Sequence, residues 1–421
     1  MNITKNSVRL YASAKAVITQ FLHLPGSDRV SHVVKRVKGL SEEEVDNLME
    51  KAMKDFSRRH RNVERIFSNH FCRIEDQYGS SLAHLSSKKK LLLGAFFTKE
   101  YSIQAAALFN PSIVPHPDQR NLNAGELRLI LSLRATGEGH ISSIVFQTGV
   151  VDDKANIRLD DPSLYYSSLQ KNSKAKYSRE FIGKCAASFP GFDNSVLNIL
   201  PDLFTAEEAL HLLKTAWPPD SSFRHSVNII AKVVDTNYEL ESSSHLPINE
   251  KVIFPNAKGE SMGMEDVRFV KFMDGAETCY YGTYTAYNGQ RIQTQMIATK
   301  DFDVFNINTL YGTAISDKGM ALFPEKINGK YAMITRQGGE MMNIMFSGDL
   351  YRWDDYELLM EPQFPWELVQ LGNCGSPIKT EQGWLLLTHG VGVMRTYVIS
   401  AILLDLKDPS KIIGRLHKPL L

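Results

Sequence analysis

KYAMITRQGGEMMNIMFSGD (330–349) and GWLLLTHGVGVMRTYVISAILLD (383–405) read alike: an apolar strand, a polar tip, a turn and a second apolar strand. Setting Tyr331 against Trp384 aligns Thr335 with Thr388 and Arg336 with His389, a period of about 50 residues. LRLILSLRATGEGHISSIVF (127–146) and CYYGTYTAYNGQRIQTQMIAT (279–299) have the same build. A short motif precedes each hairpin: FNPSIV (109–114), EDVRFV (265–270), LFPEKI (322–327) and GSPIKT (375–380). A β unit repeated at this period predicts the four-stranded blades of a β-propeller, whose inner strands surround a central channel. Polar residues at one strand position then face one funnel. This gathers Arg134, Arg336 and His389, with Asp266 and Arg268 entering from the neighbouring motif.

The first 105 residues read differently. Ser41 and Glu44 form a capping-box pattern, and Val45, Leu48, Met49, Ala52, Met53 and Phe56 recur at helical spacing, which predicts a helix over 40–75. Its continuation SRRHRNVER (57–65) reads as a solvated or partner-facing charged surface. It lacks the interleaved aromatics that stack bases. KKKLLLGAFFTKEYSIQAAALF (88–109) predicts a second helix, broken by NPSIVP (110–115). A helical insertion of about residues 155–222 interrupts the β texture, with Thr205 and Glu208 repeating the capping box before ALHLLKTAW (209–217). The expected organisation is a helical region over 1–105 and a propeller over 106–421.

Composition narrows the chemistry. With 48 basic and 47 acidic side chains the molecule has no overall sign to favour nucleic acid or an anionic membrane. Cys72, Cys185, Cys279 and Cys374 show no metal-ligand spacing and read as reduced, mostly buried thiols. The N-terminal MNITKNSVRLYASAKAVITQFLHLPG lacks a signal-peptide apolar core, and no transmembrane-length apolar run follows, so a soluble cytoplasmic protein is expected. His140 in GEGHIS reads as a turn or site-wall residue, Met341, Met342 and Met345 read as packing, and neither GEGHIS nor QGGE has a nucleotide-loop pattern. No metal or cofactor is expected.

Several cations around one carboxylate lower its pKa, and an anionic ligand among them restores the balance that lets a buried Asp hold a proton. The constellation therefore suits phosphate or another small anion beside one general acid. Hydrolysis of a glycoside needs two carboxyl groups, whereas phosphorolysis replaces one of them by bound phosphate. Spacing alone leaves structural ion pairs between blades equally open.

GMEDVRF (263–269), YYGTYTAYNG (280–289), KGMALFPEKINGKYAMITR (318–336), GNCGSPIKTEQGWLLLTHGVG (372–392) and YVISAILLDLKDPSKIIGRL (397–416) resemble, in this order, glycoside hydrolase family 130. The resemblance covers about residues 105–421. It implies a five-bladed β-propeller acting on β-mannosides, most members being phosphorylases and some mannosidases; the helical N-terminal region is similar to that of a long bacterial branch. It further implies that Asp266 is the general acid, working through a substrate hydroxyl, that Glu265, Arg268, Asn110 and Tyr287 line the sugar site, and that Arg134, Lys318, Arg336 and His389 hold phosphate. Mannose 1-phosphate would be the product, inorganic phosphate the co-substrate and a β-mannoside oligosaccharide the partner. Gln370 stands where phosphorylases carry a phosphate-binding Lys, Gly319 where many carry Asn, and Val267 where the motif has Pro. Losing a cation weakens a phosphate site. The family pattern continues past RLHKPLL with a further stretch, so the last blade is expected to be truncated, exposing an apolar flank that favours homo-oligomers. The alternatives are a β-mannosidase using Glu265 or Glu138 as base, and a non-catalytic carbohydrate-binding propeller.

Overall fold

The computed structural model describes the chain except residues 1, 2, 4, 216–220, 243, 244, 316 and 317. It opens with strand β1 (Val17–Phe21) and helices α1 (Ser27–Lys38), α2 (Glu42–Phe56), α3 (Val63–Tyr78) and α4 (Ser87–Phe96). At the start of α2 the Ser41 hydroxyl accepts from the Glu44 N–H and the Glu44 carboxylate accepts from the Ser41 N–H, the predicted capping box.

The helix expected over 40–75 is two helices. Asn62 breaks it with a left-handed φ of 51°, and His60 beside it is buried. Nor is SRRHRN simply a solvated surface: Arg59 makes two hydrogen bonds to Glu100 and Arg61 two to Glu250. Two carboxylates from elsewhere in the chain thus fix the break. The second predicted helix also ends early. After α4 the chain forms β2 (Thr98–Ser102), antiparallel to β1, and NPSIVP lies inside the strand β3 (Ala107–Pro115). Pairing with a segment some eighty residues earlier overrides the local helical spacing.

β3, β4 (Leu127–Thr136), β5 (Ser142–Val151) and β6 (Ile157–Leu159) form an antiparallel meander. The short strands β7 (Ser167–Ser168), β8 (Gln170–Lys171), β9 (Tyr177–Ser178) and β10 (Leu203–Phe204) follow, interspersed with α5 (Arg179–Ala186), then α6 (Ala206–Thr215) and α7 (Ser221–Thr236). Thr205 and Glu208 make their reciprocal cap at the start of α6; Ala216 and Trp217, the end of that predicted helix, lie outside the described residues. β11 (Tyr238–Glu241) and β12 (Lys251–Ile253) lead into a second meander, β13 (Gly263–Asp274), β14 (Glu277–Tyr287), β15 (Ile292–Thr299) and β16 (Val304–Thr309). The third comprises β17 (Ala321–Leu322), β18 (Tyr331–Thr335), β19 (Met342–Ser347) and β20 (Glu357–Met360). The fourth comprises β21 (Gln370–Asn373), β22 (Ile378–Lys379), β23 (Trp384–Val391), β24 (Tyr397–Leu404) and β25 (Ile412–Arg415). All four predicted hairpins are present, as β4–β5, β14–β15, β18–β19 and β23–β24.

The fold is mainly β, and neighbouring meanders share cores. Ile130, Ile144 and Phe146 of the first pack with Phe269, Tyr284 and Ile297 of the second. Phe272 and Met296 of the second pack with Leu322, Met333 and Met345 of the third. Ile334, Met342 and Ile344 of the third pack with Trp384, Leu386 and Ile402 of the fourth. The other face of the first meander, with Leu129, Leu131 and Leu133, is covered by Ile18 of β1 and Tyr101 of β2. The helices of the insertion have a core of their own around Ile182, Leu213 and Ile230. Met342 and Met345 are core residues, as their hairpin position predicts. The cysteines are all free, but only Cys185 is buried, whereas Cys72 and Cys374 are exposed. Cys72 lies on α3 and Cys374 just past β21, outside these cores. Among the described residues no helix is long and apolar enough to cross a membrane.

Candidate active site

The site is built on two β-bulges. The pairing of β3 with β4 shifts register between Phe109 and Ser112, and that of β13 with β14 between Glu265 and Arg268. At each bulge a non-glycine residue is left-handed, Asn110 with φ 52° and Asp266 with φ 55°. Asn and Asp tolerate this region better than other side chains, and a bulge re-aims the residue that carries it. The two bulges face each other: the Asn110 amide donates to Asp266 Oδ1 at 2.6 Å. The short motifs ahead of the first two hairpins, FNPSIV and EDVRFV, thus meet at equivalent positions.

Arg134, near the end of β4, ties the carboxylates together. Its guanidinium donates to Asp266 Oδ1 at 3.1 Å and to Glu265 Oε1 at 2.8 Å, while its Nε is held by the Ser142 hydroxyl at 2.9 Å. Lys318 Nζ donates to Glu265 Oε2 at 2.9 Å. Glu265 is therefore bound by a cation on each oxygen, with its side chain 13% exposed. Arg268 donates to the Asp266 carbonyl at 3.1 Å, and its buried Nε has no hydrogen-bond partner. Arg336, one residue past β18, likewise has a buried Nε without a partner. Buried polar atoms are normally paired, so these two arginines have unused hydrogen-bonding capacity, and Thr335 Oγ1, Asn373 Oδ1 and Ser376 Oγ are in the same condition.

His389 lies across β21. A Cβ at Gly372 would fall 2.4 Å from its ring, so only glycine admits the imidazole there. Burial, then the charges of Arg268 and Arg336, push the His389 pKa down to about 4. At neutral pH the ring is an uncharged hydrogen-bonding group. Burial pushes the Asp266 carboxyl up, but the Asn110 amide and the charges of Arg134 and Arg268 outweigh it and hold it below its ordinary value. Burial also lowers the Arg268 pKa, against the attraction of Asp266. Four basic side chains, Arg134, Arg268, Lys318 and Arg336, thus surround two carboxylates, leaving a local surplus of positive charge.

Of the residues singled out from the sequence, Asn110, Arg134, Glu265, Asp266 and Lys318 are in direct contact, and Arg268, Arg336 and His389 interact with them or with one another through charge. Tyr287 instead donates to the Gly289 carbonyl of its own turn at 3.0 Å. Gln370 sits on β21 opposite Val391, two residues before the Gly372 that His389 covers. Glu138 is turned away: its carboxylate accepts from the Ser102 N–H and its carbonyl from the Tyr101 hydroxyl. Sequence reasoning missed Ser142, Asn373 and Ser376. The signal for Ser142 was the recurrent polar pair in each hairpin: Thr136 with Ser142, Thr285 with Thr294, Thr335 with Asn343 and Thr388 with Ser400 are cross-strand partners, all buried; Asn373 and Ser376 lie outside the hairpins and had no such signal. Among the described residues no group of three or more His, Cys, Asp or Glu side chains is placed to hold a metal ion. A cavity of about 580 Å³ beside Asn328, Tyr356 and Lys407 contains none of the clustered residues, so chemistry rather than volume selects the site.

Residues 221–421 match the model of the family Glyco_hydro_130, described as beta-1,4-mannooligosaccharide phosphorylase. A 1,2-beta-oligomannan phosphorylase of Thermoanaerobacter sp. is 36% identical over 181 residues, 41% of this chain and 58% of that protein. A beta-1,2-mannobiose phosphorylase of Listeria innocua is 32% identical over 187 residues, 42% of this chain and 50% of that protein. The chain thus spans about half the length of these relatives. A solved structure of a beta-1,2-mannobiose phosphorylase from Listeria innocua, in complex with beta-1,2-mannobiose, aligns with a TM-score of 0.41 at 22% identity, covering 76% of this chain and 78% of that one. Glu265, Asp266, Arg268, Lys318, Arg336 and His389 all fall inside the segment, residues 221–421, that matches the Glyco_hydro_130 model.

Proposed function

We propose that the protein is a β-mannoside phosphorylase whose four meanders are successive blades of a five-bladed β-propeller. The observation that carries the activity is the surplus of cations around Asp266, together with the unpartnered buried Nε atoms of Arg268 and Arg336. That arrangement suits an anion next to a carboxyl group. In the proposed reaction a phosphate oxygen attacks the anomeric carbon of a terminal mannosyl unit, and the C–O bond to the aglycone breaks with inversion. The leaving oxygen takes a proton that originates on Asp266, relayed by a sugar hydroxyl. Arg134, Lys318, Arg336 and His389, with Gln370 at the edge, hold phosphate; Glu265, Arg268, Asn110 and Tyr287 contact the sugar. A phosphate dianion among these cations offsets the charges that depress Asp266 and so favours its protonated, acid-competent form. The blade assignment is supported by the shared cores of consecutive meanders.

Hydrolysis is the second reading, favoured by Gln370 in place of a cation. It requires Glu265 as base, and both oxygens of that carboxylate are already engaged as hydrogen-bond acceptors by Arg134 and Lys318. The deciding experiment incubates the protein with β-1,2-, β-1,3- and β-1,4-linked mannosides with and without phosphate. Mannose 1-phosphate formed only with phosphate is the expected result. Free mannose at equal rates in both would establish hydrolysis, and saturable binding without turnover a carbohydrate-binding propeller.

A further inference from the structure

A second cavity, of about 320 Å³, lies in the N-terminal region. Ala52 and Phe56 of α2, Val63, Ile66 and Phe67 of α3 and Ala95 of α4 give it apolar walls. Those walls are fixed. A Cβ at Gly94 would lie 1.9 Å from the Phe67 carbonyl oxygen, so α3 and α4 already touch backbone to backbone and cannot close further. The antiparallel pair of β1 and β2, joined through all five residues of each strand, fixes another side. The space is about twice that of the 150 Å³ apolar cavity known to take benzene, and falls in the range of small-molecule sites.

The polar part of the wall is specific. Glu100 Oε1 accepts from Arg59 Nε at 2.8 Å and pairs with His60 Nε2 at 2.7 Å, while Oε2 accepts from Arg59 Nη2 at 3.1 Å. A carboxylate offers about four lone-pair sites, so one acceptor position remains on Oε2. His60 is 4% exposed, and burial, against the pull of Glu100, lowers its pKa. With its Nε2 proton directed at the carboxylate, the neutral ring presents Nδ1 as a second acceptor. Thr98 adds no donor, since its hydroxyl is committed to the Gly94 carbonyl and to His70 Nδ1. Thr19 and Lys99 complete the lining; the Lys99 ammonium lies over the Tyr101 ring, 5.9 Å from its centroid, on the face of β2 opposite to Glu100. At the Glu100–His60 end the wall therefore offers acceptors, which suits a guest whose single polar group donates better than one that ends in a carboxylate.

We propose that this cavity binds an apolar small molecule of about two fused rings that carries one hydroxyl, donated to the Glu100–His60 pair. The test is a fluorescence titration of the full chain with 2-naphthol and, in parallel, with naphthalene-2-carboxylate. Saturable binding of one 2-naphthol per chain is expected, with the carboxylate at least tenfold weaker. Ala52→Leu and Ala95→Leu each place a larger side chain in the cavity and should weaken 2-naphthol at least tenfold with an unchanged far-ultraviolet circular dichroism spectrum. Asp266→Asn should leave its affinity unchanged. No saturation, equal affinity for the carboxylate, indifference to both filling substitutions, or loss of binding in Asp266→Asn would each overturn the assignment. The comparison of the two ligands on the unaltered protein decides the matter even if neither filling variant folds.

Discussion

Asp266 combines three properties that rarely coincide in one carboxylate: a left-handed backbone, a place on a bulge and a hydrogen bond from an asparagine on a second bulge. Backbone strain of this kind costs about 1–3 kcal/mol and persists where the surroundings over-determine it. Asp266→Asn keeps the shape and tolerates the same φ. We expect it to fold normally and to lower kcat/KM by about 10²–10⁴, the range for removing a general acid; turnover within a factor of a few of the parent would refute the role. His389 gives a test by stability. Its folded pKa of about 4 lies below its ordinary 6.5, so between these values the unfolded chain binds more protons than the folded one. Stability therefore falls as pH drops through that window. Relative to His389→Gln, the parent should lose about 1–3 kcal/mol more between pH 7 and pH 4, at 1.36 kcal/mol per pKa unit. Urea unfolding of both proteins across the window measures this, and parallel curves would show that His389 is not held neutral.

Glycine at position 372 is an element-scale requirement, because β21 must let the His389 ring lie against its backbone. Gly372→Ala pushes the ring aside while leaving the β21–β23 ladder intact. The expected outcome is at least a tenfold rise in KM for phosphate with kcat changed much less; steady-state kinetics at varied phosphate separates the two, and an unchanged phosphate KM would remove His389 from the anion site. The hairpins were readable in the sequence because both strands and the turn of each lie within some twenty residues, so the pattern is local. TKEYS and NPSIVP were not, since β2 is a strand only by pairing with β1 and the bulge in β3 exists only against β4. The basic run was misread for the same reason: Arg61 finds Glu250 across 189 positions of chain. Glu250 is 4% exposed, so Arg61→Ala leaves a buried carboxylate without its cation. A loss of about 1–3 kcal/mol is expected, largely relieved by adding Glu250→Gln; a double variant no better than the single one would show that Arg61 acts through packing on Tyr165.

At the scale of the whole molecule, the meanders follow one rule: a face of each sheet packs on the next, and the shared clusters run first to second, second to third and third to fourth. The fourth meander is where the two faces of one sheet can be compared. Trp384, Leu386, Ile402 and Leu404 are buried against the third meander. Leu385, Leu387, Ile399 and Leu403 alternate with them in sequence and point the other way, Leu387 and the neighbouring Ile378 being exposed at 37% and 53%. Alternation along a strand makes Leu386 and Leu387 an internal control, chemically identical and one residue apart. Truncating a buried leucine costs the transfer of its atoms plus the cavity left behind, about 2–5 kcal/mol, whereas an exposed site changes stability by about 0.5 kcal/mol or less. Leu386→Ala should therefore lower the urea midpoint sharply and Leu387→Ala hardly at all, with m-values unchanged in both. Equal losses would mean that the outer face of the fourth meander is also covered in solution; size-exclusion chromatography of Leu387→Lys would then tell whether a second copy of the chain does the covering, because a charge there should release a monomer.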